Sequence, residues 1–151
     1  MYTFTSKFLL SALPLCLCLA CADHGDTSQE FREALADTSA ENEQHAAACA
    51  RSGSSQDIAD EMDRHDAHMP LLFGRMSDGF SGMGHCFAGD PNTMRDMMSG
   101  LRAKDESHRE RMHAATNLPD AITECRTYTD ATRDDLGQMS GMMRSTHMGC
   151  M

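Results

Sequence analysis

Downstream of Asn117, the residues Ile122, Cys125, Thr129, Thr132, Leu136, Met139, Met143, Thr146 and Cys150 follow one another at alternating steps of three and four. That spacing returns each residue to one face of an α-helix, whereas a half-buried strand would alternate every second position. Upstream, Met62, Met69, Met76 and Met83 recur every seven residues, with His65, Leu72 and Cys86 at companion positions. Phe31, Leu35, Thr38, Asn42, His45 and Cys49 mark another such seam, and Met94, Met98, Leu101, Asp105, His108 and Met112 a fourth. β-Branched alternation is scarce, so strands have little support.

Helix-start and helix-stop signals separate these seams. Thr27-Ser28-Gln29-Glu30 reads as a capping box opening the first segment, and Arg51 to Ser55 as a loop in which Ser54 and Asp57 offer the next cap. Asp90-Pro91 places a cap residue before proline at the first helical position, and Asn117-Leu118-Pro119 closes the third segment and opens the fourth. Four helices with short connections predict an all-α, up-down-up-down four-helix bundle. The second segment is the weakest helix: Pro70 and glycines at 74, 79, 82 and 84 predict a kink or break near His68 to Pro70 and a frayed, Gly-rich second half.

The front of the chain is of another kind. Lys7 precedes a largely apolar run, Phe8 to Ala20, which fits the h-region of a secretory signal and is too short to span a bilayer. Leu19-Ala20-Cys21 resembles the lipobox of bacterial lipoproteins, although Cys18 stands where such boxes usually have leucine. The resemblance implies removal of residues 1–20, lipidation at Cys21, a linker over 21–26 and a bundle domain over 27–151. It also implies anchoring in the bacterial cell envelope, with the outer membrane facing the periplasm favoured because Ala22 replaces the aspartate of some retained lipoproteins. Cleavage within Ala20-Cys21-Ala22 would instead release a soluble periplasmic or secreted chain.

Cysteine usage agrees with an oxidising compartment. Of seven cysteines, Cys16 and Cys18 leave with the signal; if, as the resemblance implies, Cys21 takes lipid, the even set Cys49, Cys86, Cys125 and Cys150 remains, whereas a free Cys21 would leave an odd cysteine. Cys125 and Cys150 lie about 37 Å apart at ~1.5 Å per helical residue, far beyond the ~6 Å between α-carbons that a disulfide tolerates. Cys49 and Cys86 are likewise separated by the second helix. Only Cys49 with Cys125 and Cys86 with Cys150 keeps each pair at one end of the bundle.

From residue 21 onward the chain carries twelve bases and 23 acids, 12 − 23 = −11 with neutral histidines, which argues against nucleic acid as a partner. The absence of a Gly-x-Ser-x-Gly motif, a Cys-x-x-Cys-His haem motif and a calcium loop leaves no enzyme signature. The first functional expectation is therefore a non-enzymatic, acidic binding or structural module, needing no cofactor, that meets an envelope protein. The second is a transition-metal binder or buffer, for copper or zinc, using Met83, His85, Cys86, His147, Met148, Cys150 and Met151 at one end. The helix register also sets Asn42 or His45, Glu61, His65, Asp105, His108 and Thr129 or Thr132 at one inward-facing level. This layer resembles the di-iron sites of ferritin-like proteins in composition, but the Glu-x-x-His spacing fails on two of the required helices, which favours a register-fixing polar layer or surface histidines.

Overall fold

The computed structural model describes residues 22–83, 87 and 89–145, with the side chains of 22–26 excepted. Those residues form four helices, α1 (Ala22–Arg51), α2 (Ser55–Met83), α3 (Pro91–Ala114) and α4 (Leu118–Ser145), and no strand. The caps follow local chemistry. Asp57 N donates to Ser54 Oγ (3.2 Å) while Ser54 N donates to Asp57 Oδ2 (3.0 Å), a reciprocal box at the start of α2. Asp90 accepts from the backbone N–H groups of Asn92 (3.1 Å) and Thr93 (3.2 Å) ahead of Pro91, and Asn117 Oδ1 accepts from Asp120 N (3.0 Å) at the start of α4.

Consecutive helices run up and down. The end of α1, the start of α2, the end of α3 and the start of α4 meet in one apolar cluster of Cys49, Ile58, Met62, Met112, Ala121 and Cys125. The opposite ends share a larger cluster that includes Phe31, Phe73, Met76, Met83, Met94 and Met143. Among the described residues no helix is long and apolar enough to cross a membrane.

Two expectations are corrected. α1 begins at Ala22, upstream of Thr27, so the Thr27–Glu30 box lies inside the helix; residues 22–26 contain no proline to stop it. α2 runs unbroken through Pro70 to Met83 instead of breaking at His68–Pro70 and fraying. Burial of Met69, Phe73, Met76, Phe80 and Met83 outweighs the local cost. Two of the glycines that weaken this helix in isolation permit its packing: a Cβ on Gly79 would sit 2.8 Å from the backbone nitrogen of Phe31, and one on Gly82 2.5 Å from Thr27 Cγ2. The missing side chains let α1 and α2 approach closely.

Between the two apolar clusters lies a buried polar belt: Thr38, Glu41, Asn42, His45, Glu61, His65, Asp105, His108, Thr129 and Thr132. Its α1–α4 side is locked by Asn42, whose Nδ2 donates to the Thr129 carbonyl (3.0 Å) and whose Oδ1 accepts from Thr132 Oγ1 (3.0 Å).

Candidate functional site

The belt residues occupy positions where the helical seam demands apolar side chains, so packing of the clusters above and below carries them inside. His45 on α1, His65 on α2 and His108 on α3 each have 0% of their surface exposed. Their rings form a tight group with Tyr128 of α4. His45 stacks on His65 with centroids 4.1 Å apart, His108 stacks on Tyr128 at 4.2 Å, and His45 meets His108 edge-on at 5.2 Å.

Each imidazole presents Nδ1 to a carboxylate on a neighbouring helix: His45 to Glu61 (2.8 Å), His65 to Glu41 (3.4 Å) and His108 to Glu124 (3.2 Å). Each acid is in turn backed by a guanidinium. Arg64 reaches Glu41 Oε2 (2.8 Å) and both oxygens of Glu61 (2.7 and 2.9 Å), while Arg111 Nε lies 2.7 Å from Glu124. Asp105 takes Arg109 (3.2 Å) and the hydroxyl of Tyr128 (3.1 Å). Burial pushes Glu41 and Glu61 upward, but the hydrogen bonds from Arg64 and the histidines outweigh it and hold both carboxyls below the ordinary glutamate value. Asp105 is likewise held down by His65, Tyr128 and Arg109 against its burial.

An ionised carboxylate only accepts hydrogen bonds, so a neutral imidazole facing one must carry its proton on Nδ1 and a lone pair on Nε2. His45 Nε2 and His108 Nε2 then point lone pair at lone pair, 3.2 Å apart. Such a contact needs a proton or a cation between the nitrogens. Burial, together with nearby His65, depresses His45 to about 4, and burial also lowers His108, so protonation is disfavoured near neutrality. The surroundings leave room for positive charge: three guanidinium groups (Arg64, Arg109, Arg111) face four carboxylates (Glu41, Glu61, Asp105, Glu124), 3 − 4 = −1. Asp66, which shares Arg109, adds a further negative charge.

The separation also suits a ligand pair. Two nitrogens bound tetrahedrally to one ion at ~2.0–2.1 Å lie about 3.3 Å apart. A disulfide sulfur lies beside the pair. The Sγ of Cys125, one ring nitrogen of His45 and one of His108 lie within 4.8 Å of one another. His65 Nε2 is buried without a hydrogen-bond partner, with Asp105 Oδ1 3.3 Å away.

The depressed histidines make a prediction for the metal-free protein. Between pH 6.5 and about 4 the unfolded chain protonates His45 while the folded chain does not, so stability is fully present above pH 6.5 and is lost as pH falls toward 4. The loss from His45 alone is about 3 kcal/mol, and the lowered carboxylates act in the same direction at still lower pH. Urea midpoints measured from pH 7 to 4.5 should fall steadily; a flat profile would mean that the imidazoles are charged in the folded state.

Of the residues singled out from sequence, Cys49 and Cys125 form a disulfide with α-carbons 6.4 Å apart. The inward layer of Asn42, His45, Glu61, His65, Asp105, His108, Thr129 and Thr132 is assembled and buried. Met83 is buried in the larger apolar cluster. Cys21, His85, Cys86, His147, Met148, Cys150 and Met151, and with them the Cys86–Cys150 bridge, lie outside the described residues. Sequence reasoning missed the roles of Arg64, Glu124 and Tyr128, and set Glu41 aside because its spacing to His45 does not fit a di-iron motif. The signal for Glu41 was present: Glu41 and His45, and Glu61 and His65, each sit four apart, and the pairs exchange partners across α1 and α2. No family model matches this chain, and no match is found among curated proteins or solved structures.

Proposed function

We propose that the chain is a transition-metal-binding bundle of the bacterial cell envelope, holding Zn²⁺ or Cu²⁺ in its core on His45 Nε2 and His108 Nε2. The observation that supports this reading above the others is the 3.2 Å approach of two imidazole nitrogens whose opposite nitrogens both face carboxylates. Metal-ligating histidines commonly donate their second N–H to a carboxylate, which fixes the ring and raises its basicity. Imidazole suits Zn²⁺ and Cu²⁺, and the negative balance of the belt compensates part of the charge. The proposed ligands differ from the Met/His/Cys set at the chain end. The expected acidic module thereby acquires a ligand; on this reading it is a stoichiometric binder, anchored through Cys21 and open to an envelope partner on its acidic outer face.

The test is thermal melting of chelator-stripped protein with and without each ion. An ion present at 100 times its Kd should add about 2.7 kcal/mol, and raise the midpoint by roughly 8–12 °C for a domain of this size. His45→Ala and His108→Ala should abolish the rise, and exposed His113→Ala should keep it. No rise in the wild-type protein with either ion, or a rise that survives both core substitutions, removes the reading.

A further inference from the structure

The disulfide and the histidine pair are immediate neighbours. Cys49 Sγ lies 3.6 Å from His45 Nε2, and Cys125 Sγ sits within 4.8 Å of a ring nitrogen of each of His45 and His108. Met112 Sδ is 3.8 Å from Cys125 Sγ. A sulfur bonded to another sulfur is a poor metal donor, whereas the same sulfur as a thiolate is among the strongest for soft ions. We infer that the Cys49–Cys125 bridge is a redox gate on the metal site: reduction adds the Cys125 thiolate to His45 and His108 and converts the core to a site for a thiophilic ion, Cu⁺ or Zn²⁺. The inference deepens the proposed function and rests on it.

The step needs a dithiol reductant. Its two thiols supply two electrons and two protons, the S–S bond breaks, Cys49 and Cys125 each become a thiol, and the dithiol becomes a disulfide. Cys125 then gives its proton to the solvent as the sulfur–metal bond forms. Bridge and sulfur–metal bond exclude each other, because both use the same sulfur. The two cysteines are not equivalent. Cys125, from α4, lies within 4.8 Å of a ring nitrogen of both His45 and His108, while Cys49, one turn beyond His45 on the same helix, has its contact with His45. A recess of about 220 Å³ lies over the cluster that holds both sulfurs, its lining including Ile58, Met62, Met112 and Ala121.

This asymmetry gives the test. Cys49→Ser and Cys125→Ser both remove the bridge and share its structural cost, but only Cys49→Ser leaves the ligand. Co²⁺, a spectroscopic stand-in for Zn²⁺, is titrated anaerobically into the full chain and into each variant. Expected is a thiolate-to-Co²⁺ charge-transfer band in Cys49→Ser without reductant, absent from Cys125→Ser and from Cys49→Ser with His108→Ala. A band of equal strength in both single variants, or in neither, overturns the inference. Co²⁺ binding that depends on His45 and His108 but shows no thiolate band in either redox state leaves the proposed function standing and overturns the gate. Absence of any binding that depends on those histidines overturns both. Should the variants fail to fold, reduced wild-type protein freed of reductant is reoxidised with and without Zn²⁺. The gate predicts that Zn²⁺ slows closure of the Cys49–Cys125 bridge at least tenfold, followed by peptide mapping; an unchanged rate overturns it.

Discussion

Replacing Arg64 by alanine should cost the metal-free bundle about 3–5 kcal/mol, the range for removing one partner of a buried ion pair. Arg64 is 25% exposed, but it serves Glu41 and Glu61, which are only 7% and 8% exposed. Its loss strands two acids in a low-dielectric setting, where each must take up a proton or lose its neighbours. A protonated Glu61 no longer requires the proton of His45 to be on Nδ1, so the lone pair on Nε2 is no longer guaranteed. Two readouts should therefore move together: the urea midpoint falls, and affinity for Zn²⁺ falls 10–100-fold, as is typical when a group behind a ligand is lost. Combining Arg64→Met with Glu41→Gln and Glu61→Gln should restore much of the stability, because no uncompensated charge remains, yet leave metal affinity low. If the triple variant regained both, the arginine–carboxylate–imidazole chain would have no role beyond charge balance.

The periodicity of three and four that marks the four seams also placed the belt, because a helix buries whatever occupies its inward positions once apolar layers above and below are closed. Thr129 and His108 could thus be located from sequence as readily as Leu101 and Met139. The pairing could not. Glu41 and Glu124 lie beside the seams on their own helices, and Glu61, although its register places it inward, meets His45 only when α1 and α2 are docked. Helix rotation and axial offset, which decide that Glu41 meets His65 rather than His45, are tertiary quantities. The error over α2 has the same origin: propensity assigns Pro70, Gly79 and Gly82 a cost, but the compensating contacts belong to Phe31 and Thr27 on another helix. The sequence also drew attention to Met83, His85 and the last residues as a soft-metal end, since an up-down topology brings the two segments to one end of the bundle, whereas the belt lies at mid-height and draws each imidazole from a different helix.

The bridge between Cys49 and Cys125 should carry the second large effect. Closing a loop across 76 positions of sequence removes denatured-state entropy worth roughly 4.5 kcal/mol at 25 °C. Cys49→Ala with Cys125→Ala should lower stability by about that amount at neutral pH without metal, read from urea denaturation against the oxidised wild type. α1 and α4 would remain joined by Asn42 to Thr129 and Thr132, and by Arg133 to Glu43 (2.7 Å), so the helical content of the folded state should hold. A loss under about 1 kcal/mol would mean that the reduced chain keeps its ends together unaided. Reduction of the wild-type protein should cost a similar amount, but with a different remedy. In reduced wild type, Zn²⁺ gains a thiolate and should recover part of the lost stability, whereas the alanine pair can gain only what two imidazoles provide. The comparison separates the entropy of the closed loop from the chemistry of the sulfur. It makes the same pair of residues a staple in one redox state and a ligand source in the other.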